Sequence, residues 1–174
     1  MAISIRRLNA MPAPRAAGLL AECCGSPRWV SAMIARRPFA SREAVKAVAD
    51  EVWKSLDAND WLQAFASHPR IGERPTAAAQ QGQGGEWAAD EQSGVDRAGK
   101  GVRAALADAN RAYEERFGHI YIVCATGRTA DEMLALAQAR LQNSPAGELK
   151  VAAEEQRKIT RLRLDKLLDK EDAQ

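Results

Sequence analysis

Three residues have the chemistry of an acid, a charge partner and an anion anchor, and each sits where its neighbours restrain it. His68 opens the run His68-Pro69-Arg70-Ile71-Gly72. The proline disfavours helix at His68 and removes one amide donor, so the imidazole is expected at a helix end, a rigid place from which to present it. Imidazole titrates near neutral pH, which suits a general acid or base. A histidine that merely caps a helix carbonyl would read the same way. Glu91, followed by Gln92, falls near the start of what reads as a long helix, where the dipole favours a carboxylate. A solvated first-turn acid is the plainer alternative, and the neighbouring Asp90 fits that better than Glu91 does. Arg163 shares one helical face with Gln156, Ile159 and Leu167, so it interrupts an apolar stripe. A guanidinium on an inward face needs an acidic partner. That partner is either a protein carboxylate in a structural salt bridge or a ligand carboxylate, which the fork binds bidentately.

The elements that must position these side chains read as helix after helix. Residues 12–24 carry Ala16, Leu19, Leu20 and Cys23 at helical spacing. Ser26-Pro27 is an N-cap with proline at the first helical position, and Arg37-Pro38 stops the helix it opens. Ser41 begins the next, with Val45, Val48, Val52 and Leu56 inward. Residues 57–66 form a short helix with Trp61, Leu62 and Phe65 inward, and His68 follows it. Gly72 to Gly85 reads as a loop, with a mobile stretch over about residues 73–86, because Pro75 and the run from Gln80 to Gly85 favour no regular element. A single long helix is expected from Trp87 to Phe117, with Val95, Val102, Leu106, Ala109 and Tyr113 as its core face. Residues 119–125 differ: Ile120, Tyr121, Ile122 and Val123 are β-branched or aromatic and read as a short extended apolar segment. Thr129 and Glu132 form a capping box, and Ser144-Pro145 opens a last helix to about Leu168. The fold class is therefore all-α: a single-domain helical bundle over residues 1–174, with its core over about 5–168.

Composition narrows the function. At 174 residues, 46% hydrophobic and 28% charged, the chain is an ordinary globular domain. A net charge of +2 with no dense Lys/Arg block speaks against nucleic acid. No run approaches the roughly 18 apolar residues of a membrane span, and residues 1–10 lack a signal-peptide core. Cys23 and Cys24 are adjacent, which suits small core fillers rather than a bridge or a zinc site. Reduced thiols, with Cys124, fit a cytoplasmic protein. A metal-dependent hydrolase built on His68 and Glu91 lacks a ligand set, since only two histidines are present and no His-x-x-x-His or Cys-x-x-Cys occurs. A non-enzymatic helical interaction module would leave His68, Glu91 and Arg163 without a common purpose.

Taken in order, the motifs carry a resemblance. They are Arg37-Pro38-Phe39, His68-Pro69-Arg70-Ile71-Gly72, Glu91-Gln92, Asn110-x-x-Tyr113, Phe117-Gly118 and Cys124-Ala125-Thr126-Gly127-Arg128. Arg140-Leu141-x-Asn143, Glu154-x-Gln156, Lys158-Ile159-Thr160 and Leu162-Arg163-Leu164 follow. Over about residues 5 to 168 the chain resembles the 2-oxo-4-hydroxy-4-carboxy-5-ureidoimidazoline (OHCU) decarboxylase family. The resemblance implies an all-α homodimer, with no metal or organic cofactor, acting on a small anionic ureidoimidazoline. It implies the urate-degradation step that yields (S)-allantoin and carbon dioxide. By position His68 matches the general acid, and Glu91 and Arg163 match further active-site charges. Pro69, the stretch Ala88, Ala89, Asp90, Glu91 and Gln92, and the stretch Tyr121, Ile122, Val123, Cys124 and Ala125 match substrate-binding segments, the latter through backbone groups. The family usually has Ser three residues before the Glu. Here Ala88 stands there, and only its amide, expected near the helix start, is left to donate.

Overall fold

A computed structural model of the chain describes residues 2–72, 83–96 and 98–168. Among them the helices are α1 (Ile5–Ala10), α2 (Ala13–Cys23), α3 (Pro27–Ala35), α4 (Arg42–Ser55), α5 (Ala58–Ala66), α6 (Gln83–Glu91), α7 (Ser93–Asp96), α8 (Lys100–Phe117), α9 (Ala130–Arg140) and α10 (Pro145–Leu167). No named strand forms among the described residues, and an isolated bridge joins Ile3 to Leu168. The all-α class is as the sequence indicates, and the helix starts follow from it. Ser4, Ser26, Ser41 and Thr129 each accept a hydrogen bond from an amide of the first turn, and Thr129 and Glu132 complete both bonds of the capping box.

Several elements differ from the sequence reading. The short helix α1 was not anticipated, because six residues hold too little periodicity to read. The expected helix from Trp87 to Phe117 is three helices. Gln92 turns out of α6, and Gly99, in extended conformation, caps α8 without a side-chain bond. Of the expected loop, residues 73–82 lie outside the described residues, while 83–85 belong to α6. Leu62 faces outward, 38% exposed, whereas Phe65 is buried.

Contacts group the chain into two compact units, Met1–Ala64 with Arg157–Gln174, and Phe65–Gln156. In the first unit α2 packs on α3 and α3 on α4. Leu8, Leu20, Cys23, Trp29, Met33 and Val45 are fully buried there. Polar groups lock its backbone: the Trp29 indole donates to the Ala49 carbonyl at 3.2 Å, and Arg37 Nη1 to the Leu8 and Met11 carbonyls at 2.8 and 2.7 Å. Asn9 and the Phe39 backbone exchange two 2.8 Å bonds. The Arg37-Pro38-Phe39 motif is thus architectural. Cys23 and Cys24 are core fillers, and burial pushes the Cys24 thiol up to about 12.

In the second unit α8 packs on α9. Its core joins Leu106, Ala109 and Tyr113 of α8 to Met133 and Ala137 of α9, with Val95 of α7 and with Ile71, Tyr121 and Val123 filled in from irregular segments. Helix α8 ends at Gly118, whose φ of 75° is the left-handed C-cap that glycine adopts without strain.

Candidate functional site

The segment bearing His68 begins two residues past the end of α5, as its proline requires. The His68 amide closes the last turn on the Phe65 carbonyl at 3.1 Å, and the ring atom Nε2 is shielded from solvent. Downstream, α8 holds the segment. Asn110 Nδ2 donates to the Ile71 carbonyl at 2.7 Å, and Arg70 Nη2 donates to Glu114 Oε2 at 2.9 Å. Arg70 holds the Glu114 carboxyl below the usual carboxylate range. The Gly72 amide donates to Gln92 Oε1 at 3.1 Å, tying this segment to the residue that follows Glu91. The motif residues Arg70, Asn110 and Gln92 thus fix the backbone on which His68 and Pro69 sit.

Glu91 is the last residue of α6 and not near a helix start. The dipole there disfavours a carboxylate, so the sequence argument from the dipole fails. Its side chain is nonetheless buried, 8% exposed. Ala88 is buried beside it while Ala89 and Asp90 are exposed. Ala88 is the sixth residue of α6, beyond the four amides a helix leaves unpaired, so its N–H is no spare donor as expected above. Glu91 lines a cavity of about 390 Å³ with Ser93, Gly94, Ala125, Arg128 and Thr129. Gly94 is required: a Cβ there would lie 2.3 Å from the Arg128 carbonyl oxygen.

Residues 121–125 run without helix, strand or turn among buried neighbours. Tyr121 is anchored by its hydroxyl, which donates to the Met133 carbonyl at 3.1 Å, and burial pushes that hydroxyl up to about 12. The Ile122 carbonyl accepts from Arg140 Nη1 at 2.8 Å, and the Cys124 amide donates to Glu155 Oε2 at 2.8 Å. The Cys124 carbonyl accepts from Arg128 Nε at 3.1 Å. Arg140 is itself held by Glu148, through Nε at 2.8 Å and Nη2 at 2.5 Å, with Asn143 Nδ2 on the other Glu148 oxygen at 2.7 Å. Tyr113 donates to the same Glu148, and its hydroxyl is pushed up by burial and by that carboxylate. The guanidinium lies 4.9 Å from the Tyr121 ring centre.

The second unit therefore contains His68, Pro69, Ala88 to Gln92 and Tyr121 to Ala125, whereas Arg163 belongs to the first. Arg163 is 6% exposed and donates from Nη1 to the Glu22 carbonyl at 3.1 Å. The roles of Arg128, Arg140, Glu148 and Glu155 were missed in the sequence. Arg140 had a signal: it follows Met133 and Ala137 by seven and three residues, an inward face like that of Arg163. Glu155 had none, because the amide it binds is 31 residues away in sequence, and Arg128, although only four residues after the Cys124 carbonyl it binds, lies outside any helix whose period could report it. Among the described residues no three His, Cys, Asp or Glu side chains gather to hold a metal, and no helix is long and apolar enough to cross a membrane.

The comparisons with known proteins agree with this pattern of motifs. The chain is 36% identical over 145 residues to the uric acid degradation bifunctional protein TTL of Arabidopsis thaliana, covering 83% of this chain and 45% of that protein. It thus spans less than half the length of that relative. It is 30% identical over 154 residues to the 2-oxo-4-hydroxy-4-carboxy-5-ureidoimidazoline decarboxylase of Amia calva, covering 87% of this chain and 85% of that one. The crystal structure of an OHCU decarboxylase in the presence of (S)-allantoin superposes with a TM-score of 0.71 at 34% identity, covering 84% of this chain and 94% of that one. The family model for OHCU decarboxylase matches residues 9–165, and on these grounds the chain belongs to the OHCU decarboxylase family.

Proposed function

We propose that this chain decarboxylates OHCU to (S)-allantoin in urate degradation. The observation that carries the reading is the 3.1 Å bond from the Gly72 amide to Gln92 Oε1, which links the segment of His68 to the end of α6 that bears Glu91. An acid and a carboxylate on two linked backbones suit a reaction that releases carbon dioxide and then needs one proton. The bond from the hydroxyl-bearing ring carbon to the carboxylate breaks. Its electron pair passes into the ring toward the neighbouring ureido-bearing carbon and its imine nitrogen, which takes up a proton. His68 delivers a proton to one face of that carbon as the hydroxyl loses its own and becomes the carbonyl of allantoin. Glu91 pairs with the imidazolium or engages the substrate hydroxyl. Pro69, Ala88 to Gln92 and Tyr121 to Ala125 contact the ring. Arg163 binds a substrate oxygen, a role that rests on the family position alone.

The working protein on this reading is one domain over residues 1–174, a homodimer, cytoplasmic, and independent of metal or organic cofactor. Light scattering giving a monomer mass at micromolar concentration would remove the dimer, and activity lost to a chelator and restored by zinc would remove the cofactor-free mechanism. The decisive assay supplies freshly generated OHCU and follows the allantoin formed by circular dichroism. Rapid accumulation of the (S) enantiomer is expected. Racemic allantoin at the rate of the buffer control would refute the assignment.

A further inference from the structure

We infer that Arg140, Glu155 and Arg128 are positioning residues, whose common task is to fix which backbone groups of residues 121–125 face the substrate. The inference rests on the decarboxylase reading and extends it to residues that act through the backbone they hold; Arg128 also lines the cavity beside Glu91. Three charged side chains bind this short segment, and all three bonds fall on Ile122 and Cys124. They are Arg140 Nη1 to the Ile122 carbonyl at 2.8 Å, the Cys124 amide to Glu155 Oε2 at 2.8 Å, and Arg128 Nε to the Cys124 carbonyl at 3.1 Å.

The spacing of two is informative. In an extended chain the N–H and C=O of one residue point to one edge, and those of the next residue to the other. Charged partners on Ile122 and Cys124 therefore occupy one edge and turn Val123 to the opposite one. Among the described residues neither the Val123 amide nor its carbonyl makes a hydrogen bond. That edge presents a donor beside an acceptor, the complement of a lactam or ureide with adjacent C=O and N–H. A hydrogen bond with a charged partner is roughly twice as strong as a neutral one, so the clamp resists rotation of these peptides. The Arg140–Glu148 pair, with side chains 9% and 0% exposed, is a poor source of stability, since desolvation offsets the attraction. Its place on the Ile122 carbonyl gives it a positional role.

The test uses the full chain with Glu155→Ala, Glu155→Gln and Arg128→Met. Amide hydrogen exchange across 121–125 reads the clamp directly, and steady-state kinetics with fresh OHCU together with titration of (S)-allantoin read its consequence. Glu155→Ala should speed exchange at Val123 and Cys124, raise KM by about tenfold, weaken allantoin to a similar degree and change kcat less. Glu155→Gln keeps an acceptor and should stay within about threefold of wild type. Arg128→Met, on a partly exposed residue, should give the same pattern more weakly, and it serves if Glu155→Ala does not fold. Faster exchange with unchanged KM and allantoin affinity would overturn the inference while leaving the decarboxylase reading intact. So would unchanged exchange in both the Ala and Met variants. Failure of the wild-type chain to turn over OHCU would instead strike the decarboxylase reading, with the exchange data still deciding whether the clamp exists.

Discussion

One ion-pair cluster from each unit makes a contrast. In the first unit Asp50 meets Arg157 and Arg161 at 3.0 and 2.6 Å, with side chains between 19% and 37% exposed. Asp165 meets Arg42 and Lys46, and Glu43, seconded by Asp165, raises the Lys46 pKa. Such pairs stabilise by about 0–1 kcal/mol each, and the unit's stability comes from its apolar helices and their caps. In the second unit Arg140, Glu148 and Tyr113 form a buried polar network beside a stretch with no regular structure. Hydrophobic residues of similar volume would hold a core as well or better. The contrast teaches that burial of charge marks where backbone position, more than stability, is under control.

The acid His68, in the second unit, offers the sharpest test. His68→Asn should keep the fold, since Asn is close in size and suits a helix end, yet lose about 10² to 10⁴ of the rate, the usual worth of a positioned acid. Because solvent then protonates both faces, the allantoin formed should be racemic. Mostly (S) product at near wild-type rate would demote His68 to a cap. The next largest effect concerns stability. Arg140→Met strands Glu148 and should cost about 3–5 kcal/mol, whereas Asp50→Asn in the first unit should cost less than about 1 kcal/mol per lost pair. Urea unfolding of both variants checks the ratio, and equal losses would erase the distinction drawn here.

Two smaller effects sharpen it. At pH 8 a thiol reagent should modify the partly exposed Cys124 and spare Cys23 and Cys24, which are buried, the latter with its thiol at about 12. Peptide mapping after labelling would show the order. The smallest effect is a pH dependence. The folded pKa of Glu114 is depressed by Arg70, so its stabilisation is present above the unfolded value of about 4.3 and is lost as pH falls through the folded value. The stability gap between wild type and Glu114→Gln should be at most about 1 kcal/mol at neutral pH and should close in acid. A gap that persists unchanged in acid would show that the Arg70–Glu114 pair does not titrate with stability.

The helical content was legible because local signals carry it. Ser26-Pro27, Ser41, Thr129 with Glu132 and Ser144-Pro145 each mark a start that the structure places within a residue. The end of α5 before His68 follows from Pro69 alone. The division of residues 87–117 was not legible, because the apolar period continues through Val95 and Val102 across the break. A tertiary contact accompanies the division: inside α7 the Arg128 carbonyl approaches Gly94 so closely that no side chain fits. The place of Glu91 was misread for the same reason. The charged clamp on residues 121–125 joins positions up to 31 apart in sequence, which no periodicity reports.

The Ile3 amide donates to the Leu167 carbonyl at 2.8 Å, and Ile3 bridges Leu168. The described chain thus leaves and returns at one spot, like a loop of thread with its ends pinched together. A polypeptide of this form can be spliced into a longer one as a cassette, or closed into a ring and reopened at an exposed turn, with little strain.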